Sequence, residues 1–150
     1  MKFLGSDKLK KLVRFAVDTD EQTSGDRLTL TVLDVLQIAG EGRIARDTGE
    51  EDLARRIRRP ARKAAGDQAG HWDLVQGPYW VTYNESVRIP DDCALILQPH
   101  HAVMVNGLWH PTLVVRDWSE MTGILLMVGA RGVRLVEGAP LSTGHMVAAT

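Results

Sequence analysis

Five histidines and one cysteine are the side chains best suited to holding a metal or moving a proton, and His100, His101 and His110 stand near Cys93 in the sequence. Adjacent residues on a strand point to opposite faces, so His100 and His101 cannot readily share one ion. A structural zinc site, which closes a tetrahedron of four ligands, is therefore not expected. One of the adjacent pair reads as a lining residue of a ligand pocket, or else as a half-exposed strand histidine. A second concentration of chemistry is the basic cluster Arg55, Arg56, Arg58, Arg59, Arg62 and Lys63. Such a cluster can meet phosphates or nucleic acid, but the simpler reading is a solvated face balanced by Glu50, Glu51 and Asp52. No Gly-x-x-x-x-Gly-Lys loop, Gly-x-Ser-x-Gly elbow or Cys/His nucleophile arrangement is present, which removes those enzyme classes.

The elements that must position these residues follow from patterning. The 150 residues are one domain's worth, 44% hydrophobic and 25% charged with a formal net charge of −1, so a soluble globular domain is expected. The single cysteine excludes an intrachain disulfide framework and suits a reducing compartment. No apolar run approaches the roughly 20 residues of a membrane span, and Met1 to Gly5 lacks a secretory core, so a cytoplasmic protein is expected. Ser6 can cap a short helix on which Leu9, Leu12, Val13 and Ala16 share one face. Leu28, Leu30 and Val32 then alternate with threonines, the period of a half-buried strand.

From Gly40 to Gly70 charge replaces apolar periodicity, which predicts a charged, partly mobile insertion with a helical turn or two over Glu51 to Ile57, stopped by Pro60. Beyond it short strands are predicted at Tyr79–Tyr83, Ala94–Leu97, Ala102–Val105, Leu113–Val115, Ile124–Val128 and Val133–Val136, separated by turn residues. That spacing argues for an all-β sandwich, barrel or jelly roll with one short N-terminal helix.

The segment Trp80-Val81-Thr82-Tyr83-Asn84-Glu85-Ser86-Val87-Arg88-Ile89-Pro90 resembles the part of dUTPases and dCTP deaminases where a strand leads to a Glu, a Val and an Ile/Leu-Pro turn. Thr23 to Leu30 is similar to the family's first motif, Gly42 to Asp47 to the linker of archaeal members, and Glu137 to Leu141 to the final Gly-Ala-Arg-Ile-Ala-Gln motif. The resemblance covers nearly the whole chain from about Ser6. It implies a distorted β-barrel or jelly roll of the dUTPase kind. It also implies a homotrimer whose clefts are completed by neighbouring subunits, with the apolar ending Met146 to Ala149 packing against one of them.

The resemblance further implies a deoxynucleoside triphosphate as ligand, split to the monophosphate and pyrophosphate with Mg2+ held mainly by the nucleotide. Here the family's Pro-Arg-Ser-Ser becomes Pro99-His100-His101-Ala102, which makes His100 and His101 the substrate-binding candidates of that segment. An ungapped alignment sets Arg116 at the family's water-activating Asp; one residue of slippage makes Asp117 the general base and puts Trp118 near the sugar. In the same way Arg27 falls at the Asp of the first motif with Asp26 beside it, and Thr143 falls near the final motif's Gln. Deamination lacks its acid/base Glu on Ile124 to Val128. The reading from another class is a non-catalytic trimeric nucleotide-binding or regulatory protein.

Overall fold

The structure is a computed structural model describing every residue except Thr48, Glu50, Glu51 and Thr150. In chain order it runs β1 (Lys2–Phe3), α1 (Ser6–Leu12), β2 (Val13–Arg14), α2 (Thr19–Gln22), β3 (Leu28–Ile38), β4 (Arg56–Arg59), β5 (His71–Leu74), β6 (Gly77–Tyr83) and β7 (Ser86–Val87). It continues with β8 (Cys93–Pro99), α3 (His101–Val105), β9 (Leu108–Trp109), β10 (Leu113–Val115), a single 3-10 turn (Trp118–Glu120), β11 (Ile124–Val128), β12 (Val133–Val136) and β13 (Pro140–Ala148). Nine strands form one antiparallel sheet in the order β10-β8-β13-β3-β6-β11-β9, with β1 on β13 and β4 on β3. Small ladders β12-β5 and β2-β7 complete an all-β fold whose sheet curls into a half-barrel.

The curl comes from β3. Its first residues pair with β13 and its last with β6 and β4, so one eleven-residue strand serves both halves of the sheet. Register shifts at Val32/Asp34 and Pro140/Ser142 bend the chain there, as an extra residue on one strand does. Alternation then closes the core. Leu28, Leu30, Val32 and Val35 of β3 point in with Val81, Leu95, Leu97, Ile124, Leu126, Leu141 and Met146, all at most 2% exposed. Leu9 and Leu12 of α1 join them. Among the described residues no helix is long and apolar enough to cross a membrane.

Four expectations need correction. The first helix ends at Leu12, because Val13 and Arg14 pair with Val87 and Ser86 instead of continuing to Ala16. Residues 102–105 are helix, not strand: Asn106 closes the turn on the Ala102 carbonyl and Gly107 supplies a positive φ of 76°. The insertion is not helical over the described part of Glu51 to Ile57. Arg56 to Arg59 add an edge strand to β3, which offers unpaired backbone groups there, and Arg62 bridges His71. Of the ending Met146 to Ala149, Met146 is 0% and Val147 7% exposed, packed within this subunit's own strand β13 instead of free for a neighbour, whereas Ala149 is exposed beyond the strand.

The basic cluster lies along and beyond β4. Arg58 meets Asp34 at 3.4 Å, Arg59 donates to the Gln37 side chain and the Arg56 guanidinium sits 4.4 Å from the Trp80 ring centre. Of its expected counter-charges, Glu50 and Glu51 lie outside the described residues, and Asp52 bridges Arg43 through the backbone.

Candidate functional site

The residues singled out in the sequence fall on two separate clefts. The first, of about 400 Å³, opens where α2, the start of β3, the end of β8 and the start of β13 meet. Arg27, Thr29, His100 and Thr143 line it, with Gln22 and Thr31 among the residues at its base. Thr143 is presented by a regular ladder, opposite Thr29 on one side and Gln98 on the other. Of the ambiguous pair in the first motif, Arg27 lines the cleft. Asp26 is exposed in the turn, where its carbonyl accepts a hydrogen bond from His145 Nδ1 at 3.2 Å.

His100 is no longer on a strand. It is the residue before α3, and its Nδ1 accepts a hydrogen bond from the Ala102 amide at 3.1 Å, capping that helix. An imidazole nitrogen that accepts is unprotonated, so the other nitrogen, Nε2, carries the hydrogen. Burial holds the His100 pKa below the usual value, and the charges of His101 and Arg27 push the same way. The ring offers this cleft a neutral donor. His101, the first residue of α3, is exposed and does not line the cleft. The expectation that neighbouring histidines alternate across a strand therefore does not apply at this position.

Beneath the cleft lies a polar network that periodicity does not reveal. Glu85, 3% exposed, accepts from the Thr31 amide at 2.8 Å, the Thr31 hydroxyl at 2.5 Å and Gln22 Nε2 at 2.8 Å. The Thr31 hydroxyl must donate to Glu85, because its oxygen accepts from Asn84 Nδ2 at 2.9 Å. Gln22 also donates to the Thr29 carbonyl and accepts from the Asp18 amide, which ties α2 to β3. Three donors converging on one buried carboxylate satisfy both oxygens without a counter-cation. The Glu position belonged to the resembled segment; its bracing role shows only once residues 54 and 63 positions apart meet.

The second cleft, of about 790 Å³, holds Asp117 and Trp118 together with Arg116. Asp117 precedes the single 3-10 turn and its Oδ1 accepts from both the Ser119 amide at 3.0 Å and the Ser119 hydroxyl at 2.8 Å. These bonds, the hydroxyl foremost, hold its carboxyl below the ordinary carboxylate range. Both fall on one oxygen, and Oδ2 has no hydrogen-bond partner among the described residues. The Trp118 ring packs on Tyr83 with centroids 6.1 Å apart. Within one chain, then, Asp117 and Trp118 are not brought to His100 and Thr143.

A buried chain of hydrogen bonds accounts for His110. Its Nδ1 lies 2.9 Å from the Pro111 carbonyl, which can only accept, so Nε2 accepts from Ser142 Oγ at 2.8 Å and Ser142 accepts from the Tyr83 hydroxyl at 2.5 Å. His110 and Ser142 are fully buried, and burial lowers the histidine pKa and raises that of Tyr83. Among the described residues no group of three or more His, Cys, Asp or Glu is placed to hold a metal ion.

No protein-family model matches the chain. A probable deoxyuridine 5'-triphosphate nucleotidohydrolase of Methanosarcina mazei is 30% identical, over 93% of this chain and 84% of the relative. One of Methanosarcina acetivorans is 29% identical over the same shares. Among solved structures, the 2'-deoxycytidine 5'-triphosphate deaminase of Agrobacterium tumefaciens superposes with a TM-score of 0.64 at 13% identity. That match covers 98% of this chain and 49% of the deaminase, about half its length, and it bears on fold alone. Curled half-barrel, motif order and a relative at 30% identity along nearly the whole chain agree, and the protein belongs to the dUTPase/dCTP deaminase superfamily.

Proposed function

We propose that the protein hydrolyses a deoxynucleoside triphosphate, dUTP foremost, to the monophosphate and pyrophosphate in a homotrimer. In that assembly the His100–Thr143 cleft of one subunit and the Asp117–Trp118 cleft of another form one site. The observation that carries the reading is the Asp117 carboxylate, which lines the second cleft and is clamped at Oδ1 by Ser119, with Oδ2 unpartnered among the described residues. Oδ2 accepts the proton of a water whose oxygen attacks the α-phosphorus. The bond from that phosphorus to the bridging oxygen breaks, and pyrophosphate leaves. Its lowered pKa keeps Asp117 ionised at neutral pH. Trp118 gives the sugar an aromatic face, and Arg27 and Thr143 provide donors from the first cleft. A substrate drawn from the nucleotide pool places the work in the cytoplasm.

Mg2+ arriving on the triphosphate would supply charge for its oxygens. The donor set fits such a substrate-borne ion, with Asp91 and Asp117 the carboxylates lining the second cleft and no protein cage of three ligands among the described residues. Deamination is not proposed, because β11 (Ile124–Val128) carries no carboxylate to shuttle protons. Pyrophosphate release from dUTP, dCTP and dTTP with Mg2+, beside sedimentation, tests the reading. Release from dUTP by a trimer is expected. Binding without release returns the protein to the non-catalytic alternative, and a stable monomer at micromolar concentration removes the shared site.

A further inference from the structure

The second cleft contains far more positive charge than the Asp117 reading uses. Lys11 at the end of α1, Arg14 of β2, Arg88 after β7 and Arg116 after β10 all line it. The fold brings these four segments together: Arg14 stands opposite Ser86 in the β2-β7 ladder, and the Arg88 amide donates to the Leu12 carbonyl at 2.8 Å. Against four cations the cleft sets two carboxylates, Asp91 and Asp117, and Asp117 Oδ1 is already engaged by Ser119. None of the four cations forms an ion pair among the described residues. The arginines of β4 differ: Arg56 covers Trp80, and Arg58 and Arg59 are bound to Asp34 and Gln37.

Like charges around one concavity raise its potential, which a multivalent anion relieves. Guanidinium forks suit phosphate because two parallel N–H groups meet two oxygens. At about 790 Å³ the cleft has room for a chain of phosphates, and the Ser86 side chain adds a neutral donor. The first cleft, by contrast, has Arg27 and a histidine held neutral.

We propose that Arg14, Arg88 and Arg116, with Lys11, form an oligophosphate-binding groove in the second cleft, supplying the positive charge that the segment Pro99-His100-His101 lacks. The groove deepens the reading of the Asp117 cleft as the reaction site, but its test needs no turnover. Inorganic tripolyphosphate is titrated calorimetrically into the full-length chain without divalent metal, at low and high salt. Expected are binding that weakens as salt rises, at least tenfold weaker binding for Arg88→Glu and Arg14→Glu, and parental binding for Arg56→Glu on β4. Arg88→Gln and Arg14→Gln serve where a reversal fails to fold, with a smaller loss in the same direction. Failure of the parent to bind, or equal binding by parent and groove variants, overturns the proposal. So does equal loss in Arg56→Glu, which would mark general charge attraction to any acidic partner. Tripolyphosphate binding by a chain that hydrolyses no nucleotide leaves the groove standing and removes only the reaction assigned to Asp117.

Discussion

The two clefts are built on different physical footings. The first rests on Glu85, Thr31 and Gln22, all at most 6% exposed, and its walls are fixed by hydrogen bonds that cross the sheet. The second is rimmed largely by exposed residues, and among the described residues its only side-chain hydrogen bonds are those that Asp117 accepts from Ser119. A braced cleft keeps its shape without ligand, whereas an exposed rim of one charge needs a counter-charge or a neighbouring subunit to complete it. Substitutions in the first should therefore be felt in stability, and those in the second in function.

Asp117→Asn is the sharpest break of that contrast. The amide still accepts from Ser119 at this cap, so stability should stay within about 0.5 kcal/mol of the parent, while dUTP hydrolysis should fall by about 100-fold or more through loss of the base. Steady-state pyrophosphate release beside urea unfolding checks both halves. Turnover at the parental rate would end the role of Asp117.

Glu85→Leu should do the opposite. It strands the Thr31 amide, the Thr31 hydroxyl and Gln22 Nε2 in a buried site, at about 1 kcal/mol or more for each donor, so a loss of about 3 kcal/mol is expected in urea unfolding. Amide exchange should also quicken in α2, which Gln22 ties to β3. A loss below about 1 kcal/mol would mean that water or rearrangement serves those donors and that the first cleft is not braced.

His110 sharpens the same point through pH. Its folded pKa is lowered, so the unfolded chain binds more protons wherever the two states differ. Stability is present in full above the unfolded histidine value of about 6.5, and is lost as pH falls from there toward the lowered folded value. The urea midpoint of the parent should drop between pH 7.5 and 5, and His110→Gln, less stable at pH 7.5, should show a shallower slope. Parallel slopes would show that the buried His110–Ser142–Tyr83 chain does not govern acid stability.

Much of this arrangement was legible in the sequence and some was not, for identifiable reasons. Leu113–Val115, Ile124–Val128 and Val133–Val136 are strands at the expected bounds because their β-branched and leucine runs are closed by turn residues. The Pro140–Ala148 strand hides because Ser142, Thr143, Gly144 and His145 break its apolar alternation. Gly144 is nonetheless suited to the sheet interior, where a Cβ would lie 3.0 Å from Leu95 Cδ1 and 3.2 Å from Leu97 Cδ2. Ala-Val-Met-Val suits strand or helix, and the choice falls to His100 and Asn106 at its ends. Of the residues that motif order singles out, His100, Thr143, Asp117 and Trp118 line clefts, whereas Asp26 and His101 do not. The Glu85 network and the four-cation groove were out of reach, because each joins segments distant in sequence.

The smallest expected effect separates the clefts by charge at His100. A histidine replacing a phosphate-binding arginine would be expected to work as a cation, with affinity highest at low pH. The structure argues otherwise, because Nδ1 must stay unprotonated to accept from the Ala102 amide, and burial, His101 and Arg27 all hold the pKa down. Protonation breaks the cap and therefore costs stability as pH falls below about 6.5, while an anion in the cleft would pull the pKa back up in the complex. His100→Asn keeps an acceptor at the cap and should leave stability within a few tenths of a kcal/mol and nucleotide affinity within about twofold at pH 7.5. His100→Arg adds the missing charge but loses the acceptor, so about 1 kcal/mol of stability should go. Binding would then gain little, since the oligophosphate is held in the other cleft. Calorimetry with a non-hydrolysable dUTP analogue at pH 6 and 8 checks this. A tenfold gain for His100→Arg at pH 8 would mean that the phosphates lie against the braced cleft after all, and that the cationic groove serves another anion.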